Sequence, residues 1–103
     1  MPYVRRSEGV AWGEDLYVIA GAGMFKLGRS CDPKRRLKDI RHQAPWLQLH
    51  LAAVFAGCGH LEAACHKALR ETFQQVGREW YRADSEHAAV ARVSEVLTRI
   101  MEA

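Results

Sequence analysis

At 103 residues the chain is one domain, with room for a single modest core. Apolar residues make up 49% and charged residues 26%, which excludes a disordered chain, and no apolar run reaches the roughly 18 residues of a membrane span. The net charge of +3 is unevenly spread: from Lys26 to Arg41, seven basic residues stand against Asp32 and Asp39, so that segment carries +5 and the rest −2. A local positive patch on a nearly neutral body predicts an anionic partner that docks at one place.

Residues 1–13 mix charges with Pro2, Gly9 and Gly13. They read as an irregular lead-in with Trp12 packed down, and they lack the apolar run of a signal peptide or anchor. Leu16-Tyr17-Val18-Ile19-Ala20 and Met24-Phe25-Lys26-Leu27-Gly28 flank Gly21-Ala22-Gly23. Two β-rich runs around a glycine turn predict a β-hairpin. Asp32-Pro33 then starts a helix, because Asp caps free N–H groups and Pro suits the first helical position. This helix runs to about His42, with Leu37, Ile40 and Ala44 as its apolar edge, and Pro45 ends it.

From Trp46 to Ala56 the chain alternates at first, with Leu47, Leu49 and Leu51 against Gln48 and His50, which is strand periodicity. A second helix is predicted from about His60 to Gln74, with a stripe of Leu61, Ala64, Cys65, Ala68, Leu69 and Phe73, closed by Gly77. Glu79-Trp80-Tyr81 is a short extended piece. Asp84 caps a last helix that carries Val90, Val93, Val96, Leu97, Ile100 and Met101 on one face. The predicted fold is α+β, an α/β sandwich. A small three-stranded antiparallel sheet is flanked by helices in the order β-β-α-β-α plus a C-terminal helix. Residues 14–83 form the core domain, and 84–103 form an amphipathic helix packed on it.

Three features converge on one chemistry. Side chains two apart along a strand share a face, and paired strands bring such faces together, so Tyr17 and Lys26 are expected on one surface. Arg36 lies on the basic helix that leaves the hairpin, and a guanidinium holds two phosphate oxygens in one plane. Glu62, His66 and Arg70 fall at i, i+4 and i+8, one polar line beside the apolar stripe. A carboxylate near a phosphate site is a natural ligand for Mg²⁺.

These residues also carry a resemblance. Leu16-Tyr17-Val18, Lys26-Leu27-Gly28-Arg29-Ser30, Asp32-Pro33-x-x-Arg36-Leu37, Glu62-x-x-x-His66 and Gly77-Arg78-Glu79-Trp80-Tyr81 follow one another over residues 15–82. Together they resemble the GIY-YIG endonuclease superfamily, in its phage and bacterial branch with a K-I-G second motif and a G-E-W-F-like end. Asp15-Leu16 stands where the name motif has Gly-Ile, and Lys26 where many members carry a second tyrosine.

The resemblance implies a metal-dependent endonuclease that hydrolyses phosphodiesters. It gives catalytic roles to Tyr17, Lys26, Arg36, Glu62 and His66. Tyr17 would help deprotonate the attacking water, Arg36 would steady the phosphate, and Glu62 would bind one Mg²⁺ or Mn²⁺. A free phenol titrates at about pH 10, so this role for Tyr17 requires nearby cations such as Lys26. Arg29, Lys34, Arg35, Lys38 and Arg41 are expected to bind nucleic acid, DNA rather than RNA, with a homodimer or partner chain supplying specificity. The alternative is a catalytically weak or silent nucleic-acid-binding module of the same fold; a third reading is an interaction domain with no nucleic-acid role. The phenol, the guanidinium and the carboxylate are expected to meet around one pocket open to solvent.

Two other patterns are set aside. Gly23 to Ser30 has the spacing of a phosphate-binding loop, but its interior is apolar strand and Arg29 replaces the lysine. Cys58, His60, Cys65 and His66 match no common zinc spacing, and Cys65 belongs to the apolar stripe. Three cysteines, Cys31 being the third, form no disulfide framework and predict reduced thiols in the cytoplasm.

Overall fold

The fold is described from a computed structural model, which covers residues 3–6 and 13–102. Its strands and helices follow in chain order: β1 (Tyr3–Arg6), β2 (Asp15–Gly21), β3 (Met24–Ser30), α1 (Pro33–Gln43), β4 (His50–Ala56), α2 (Glu62–Thr72), β5 (Trp80–Arg82) and α3 (Glu86–Glu102). A single 3₁₀ turn, Gly59–Leu61, leads into α2. The strands form one sheet in the order β1-β4-β2-β3-β5. Four of them run antiparallel, and β1 lies parallel to β4 at the edge.

The α+β class is therefore as expected, but the sheet has five strands rather than three. Residues 3–6 pair with β4 where an irregular lead-in is expected. Trp12, expected to pack down, lies outside the described residues. The short extended piece becomes β5, because Lys26 pairs with Trp80 and Phe25 with Tyr81. Both additions depend on partners distant in sequence, and neither strand is long enough to show a period of its own.

Alternation divides the sheet into two packed faces. Tyr17 and Ile19 point to α1 and join Leu37, Ile40 and Leu49. Leu16, Val18, Ala20, Phe25 and Leu27 point the other way, to Cys65 and Leu69 of α2 and to Ala89, Val93 and Leu97 of α3. Since β2 is covered on both faces, all of Leu16 to Ala20 is buried. That is why its sequence is a continuous apolar run rather than an alternating one. Full burial of a side chain such as Leu16 or Leu27 contributes roughly 2 kcal/mol. Phe25 anchors the second face, edge-on to Phe73 at 5.0 Å and stacked on Tyr81 at 5.2 Å.

Local signals fix most boundaries. The Asp32 carboxylate accepts a hydrogen bond from the Arg35 backbone N–H, and Pro33 opens α1. At α3 the cap is Ser85, whose hydroxyl accepts from the Ala88 N–H, in place of the expected Asp84. The helix α2 ends at Thr72, and Phe73 is already extended, so Gly77 lies in the loop beyond rather than closing the helix. The strand expected from Trp46 begins only at His50. The Leu49 carbonyl is taken by the Arg41 guanidinium, at 2.9 and 2.6 Å, and Trp46 stands 75% exposed in the loop.

The hairpin turn consists of Ala22 at φ 54° and Gly23 at φ 73°. Two positive φ values suit Asn-Gly, and an alanine there costs about 1 kcal/mol. Ala22→Asn is expected to raise the thermal midpoint by roughly 4–8 °C for each kcal/mol recovered. An unchanged or lower midpoint by circular dichroism would show that the turn carries no such strain.

Candidate functional site at the edge of strand β3

Pairing between β3 and β5 stops early. The last residue pair is Lys26 with Trp80, and one further bond joins the Leu27 N–H to the Glu79 carbonyl. Beyond that point β5 has no residues left to cover Gly28, Arg29 and Ser30. Glu79 sits where the strand departs, so its side chain is free to reach round the edge.

On the α1 face, Tyr17 lies across Gly28, its partner in the β2–β3 register. A Cβ at Gly28 would collide with the Tyr17 hydroxyl and its ring carbon and stand 3.1 Å from Cε2. Glycine is thus what lets the phenol reach over β3. The Lys26 ammonium sits 5.5 Å from the centre of the Tyr17 ring. The expected convergence of Tyr17 and Lys26 on one surface therefore holds. Lys26 is 6% exposed, and its charge is matched by an ion pair with Glu79 Oε2. Tyr17 itself is 1% exposed. Arg36 shares a cleft of about 380 Å³ with Lys26, Ile40 and Trp80.

On the opposite face, α2 presents Glu62 and His66 one turn apart. Glu62 Oε2 is 3.5 Å from His66 Nε2, and Glu62 Oε1 is 3.6 Å from Arg29 Nε. The imidazole is buried rather than lying on the surface, as a simple Glu-paired histidine would. Its Nδ1 lies 2.5 Å from the Tyr81 hydroxyl, and its ring stacks on Tyr81 at 5.7 Å. Burial pushes the Tyr81 phenol above its ordinary pKa, against the lowering effect of the Arg70 guanidinium. The His66 Nε2 is buried with no hydrogen-bond partner. Glu62, His66 and Glu79 each bring one donor atom within 4.8 Å of the other two. Among the described residues, the group able to hold a metal ion is this one, and no cysteine belongs to it.

The expectation of one pocket around phenol, guanidinium and carboxylate needs correction. Tyr17 and Arg36 belong to the α1 face, while the helix carrying Glu62 packs on the other. Neither Tyr17 nor Glu62 lines the cleft that holds Arg36. The two halves are joined round the open edge by Glu79, which pairs with Lys26 on one side and gathers with Glu62 and His66 on the other. Glu79 and Tyr81 entered the sequence reading only within the Gly77-to-Tyr81 motif, with no role given to them by spacing. Their signal is weak: a carboxylate and a second aromatic in a three-residue strand, whose partners come from residues 26 and 66.

The positive segment resolves into two kinds of cation. Lys26 is paired with Glu79, Arg29 lies 3.6 Å from both Glu14 and Glu62, and Arg41 binds the Leu49 carbonyl. Lys34, Arg35, Arg36 and Lys38 lie exposed on α1 and make no ion pair among the described residues.

The sequence pattern of the T5orf172 domain matches residues 15–101, so the chain belongs to that family. This corrects the resemblance drawn from the motifs. The family shown is the T5orf172 domain, it is distinct from the GIY-YIG family, and no GIY-YIG match accompanies it. It is a phage-related family of nuclease-like, DNA-binding domains, compatible with a role on nucleic acid. No curated protein and no solved structure matches the chain. No helix among the described residues is long and apolar enough to cross a membrane.

Two outcomes check this geometry. Gly28→Ala is expected to cost roughly 1–3 kcal/mol, because the Tyr17 ring has to move; a denaturation midpoint equal to the wild type would contradict the packing. Burial, with Cys58 and Glu62 adding to it, pushes the Cys65 thiol up to about 11, so little of it is thiolate near neutrality. Cys58 is buried as well, and Cys31 is exposed. Ellman's reagent should react fast with Cys31 alone in the native protein and with all three thiols after unfolding.

Proposed function

We propose that this domain is a metal-dependent nuclease that hydrolyses nucleic-acid phosphodiesters, DNA rather than RNA, at the open edge of β3. The observation that carries this reading is the gathering of Glu62, His66 and Glu79 within 4.8 Å of one another at that edge, with Glu79 paired to Lys26 beside the Tyr17 ring. The orphaned His66 Nε2, 3.5 Å from Glu62 Oε2 in a group that Glu79 completes, fits a divalent cation better than a purely structural cluster. Glu62 would hold Mg²⁺ or Mn²⁺. The bound ion would polarise a phosphate oxygen and offset the charge of the leaving one.

The chain's own residues do the rest. Arg36, exposed and unpaired, takes the phosphate oxygens in a two-pronged contact and offsets the charge that builds in the transition state. Lys34, Arg35 and Lys38, on the other sides of the same helix, add positive charge that draws the substrate backbone to it. The Tyr17 oxygen, held over Gly28, orients the attacking water and, in its deprotonated form, accepts the proton that water loses. The Lys26 ammonium lies 5.5 Å from the centre of that ring and shares its charge with Glu79. The four unpaired cations of α1 meet the phosphate backbone, which carries no sequence, so sequence choice falls to a second copy or a partner chain.

One observation favours a second reading, a binding module without strong catalysis. Tyr17 is almost wholly buried and Lys26 is already paired. Both facts weaken the proton-transfer half of the site while leaving the cationic helix intact.

Supercoiled plasmid incubated with the pure protein and Mg²⁺ or Mn²⁺ separates the two. Glu62→Gln and Arg36→Ala are each expected to slow nicking by roughly 100-fold or more. Nicking that persists in both would sink the assignment. Binding without nicking, with a salt slope that falls in Arg36→Ala, would establish the binding module.

A further inference from the structure

The donor set at the edge contains a nitrogen. His66 is about nine-tenths buried, and its Nε2 lies 3.5 Å from Glu62 Oε2 without a hydrogen bond. Its other nitrogen is already held by Tyr81 at 2.5 Å. The Tyr81 O–H is in turn 3.5 Å from the His66 carbonyl. With Nδ1–H donating to the Tyr81 oxygen, and the Tyr81 O–H directed to that carbonyl, the Nε2 lone pair is left free on the side of the Glu62 carboxylate. Metal-bound histidines are commonly oriented in this way, by a partner on the far nitrogen.

The carboxylates are oriented too. Arg29 stands against Glu62 Oε1 and Lys26 against Glu79 Oε2. Donors from Glu62, His66 and Glu79 lie within 4.8 Å of one another. Ligands on opposite sides of one ion are about 4.3 Å apart, so small side-chain rotations close the set.

We propose that Glu62, His66 and Glu79 form a single mixed nitrogen–oxygen centre that selects a first-row transition ion, Mn²⁺ in preference to Mg²⁺. This rests on the reading of Glu62 as a metal ligand and adds two ligands and a selectivity to it. Mg²⁺ sheds water reluctantly and prefers oxygen donors. An imidazole nitrogen adds affinity for Mn²⁺ and for the later ions of the row, and little for Mg²⁺.

Mn²⁺ titrated into the full chain, by calorimetry and pulsed electron paramagnetic resonance, tests the centre without any substrate. One Mn²⁺ site is expected, with a ¹⁴N coupling in the spin echo and with Mg²⁺ at least about tenfold weaker. His66→Gln should abolish the coupling and weaken Mn²⁺ at least about tenfold while changing Mg²⁺ less. Glu79→Gln, at the more exposed edge, should weaken Mn²⁺ but keep the coupling, which guards against a His66 variant that fails to fold. No nitrogen coupling in the wild type, or Mg²⁺ bound as tightly as Mn²⁺, overturns the proposal. Mn²⁺ binding with the coupling but no nicking would sink the nuclease reading and leave this centre standing. Glu62-dependent nicking, with Mn²⁺ bound by His66→Gln as tightly as by the wild type, would do the reverse.

Discussion

The place where β5 lets go of β3 sets the rest of the site. A strand that continued past Lys26 would hold the Glu79 backbone in the ladder and turn its side chain strictly to one face. Instead the chain turns away after one last hydrogen bond, from the Leu27 N–H to the Glu79 carbonyl. The carboxylate then serves both sides of the sheet. It neutralises Lys26, which is buried and needs a partner, and it joins Glu62 and His66 on α2.

That arrangement also sorts the cations. A basic run of seven looks like one patch in sequence, but only part of it faces solvent as free charge. Lys26, Arg29 and Arg41 hold the fold together by binding acids or a carbonyl. The remaining four, one turn or less apart on α1, form the surface an anion would meet first. Steering by such a surface weakens as salt rises, whereas the part-buried Lys26–Glu79 pair is screened less.

Much of this fold was legible in the sequence, where the signal was local. The hairpin, the Asp32-Pro33 helix start and the α2 stripe each rest on residues a few positions apart, and periodicity or capping is enough to read them. The three-strand count failed because β1 and β5 are short and owe their existence to β4 and β3. The late start of β4 depended on Arg41 taking a carbonyl, which no propensity describes. At the site, the period of two correctly joined Tyr17 to Lys26, and the i, i+4 spacing joined Glu62 to His66. The single-pocket expectation failed because strand parity alone does not say which face the next helix will cover. The motif resemblance has a related cause. Gly28 is demanded by the Tyr17 ring, and Asp32-Pro33 by the helix start, so these pieces report packing rules as much as descent. The family match gives the T5orf172 domain instead.

The Tyr17 ring and the missing side chain of Gly28 occupy one shared volume on neighbouring strands. The two positions therefore cannot drift independently. A relative that carries alanine or larger at position 28 has to move the ring at position 17 off its place over β3 or carry a smaller side chain there. Paired change at these two sites, read across a set of homologous chains, would mark the lineages in which this edge has been given over to another use.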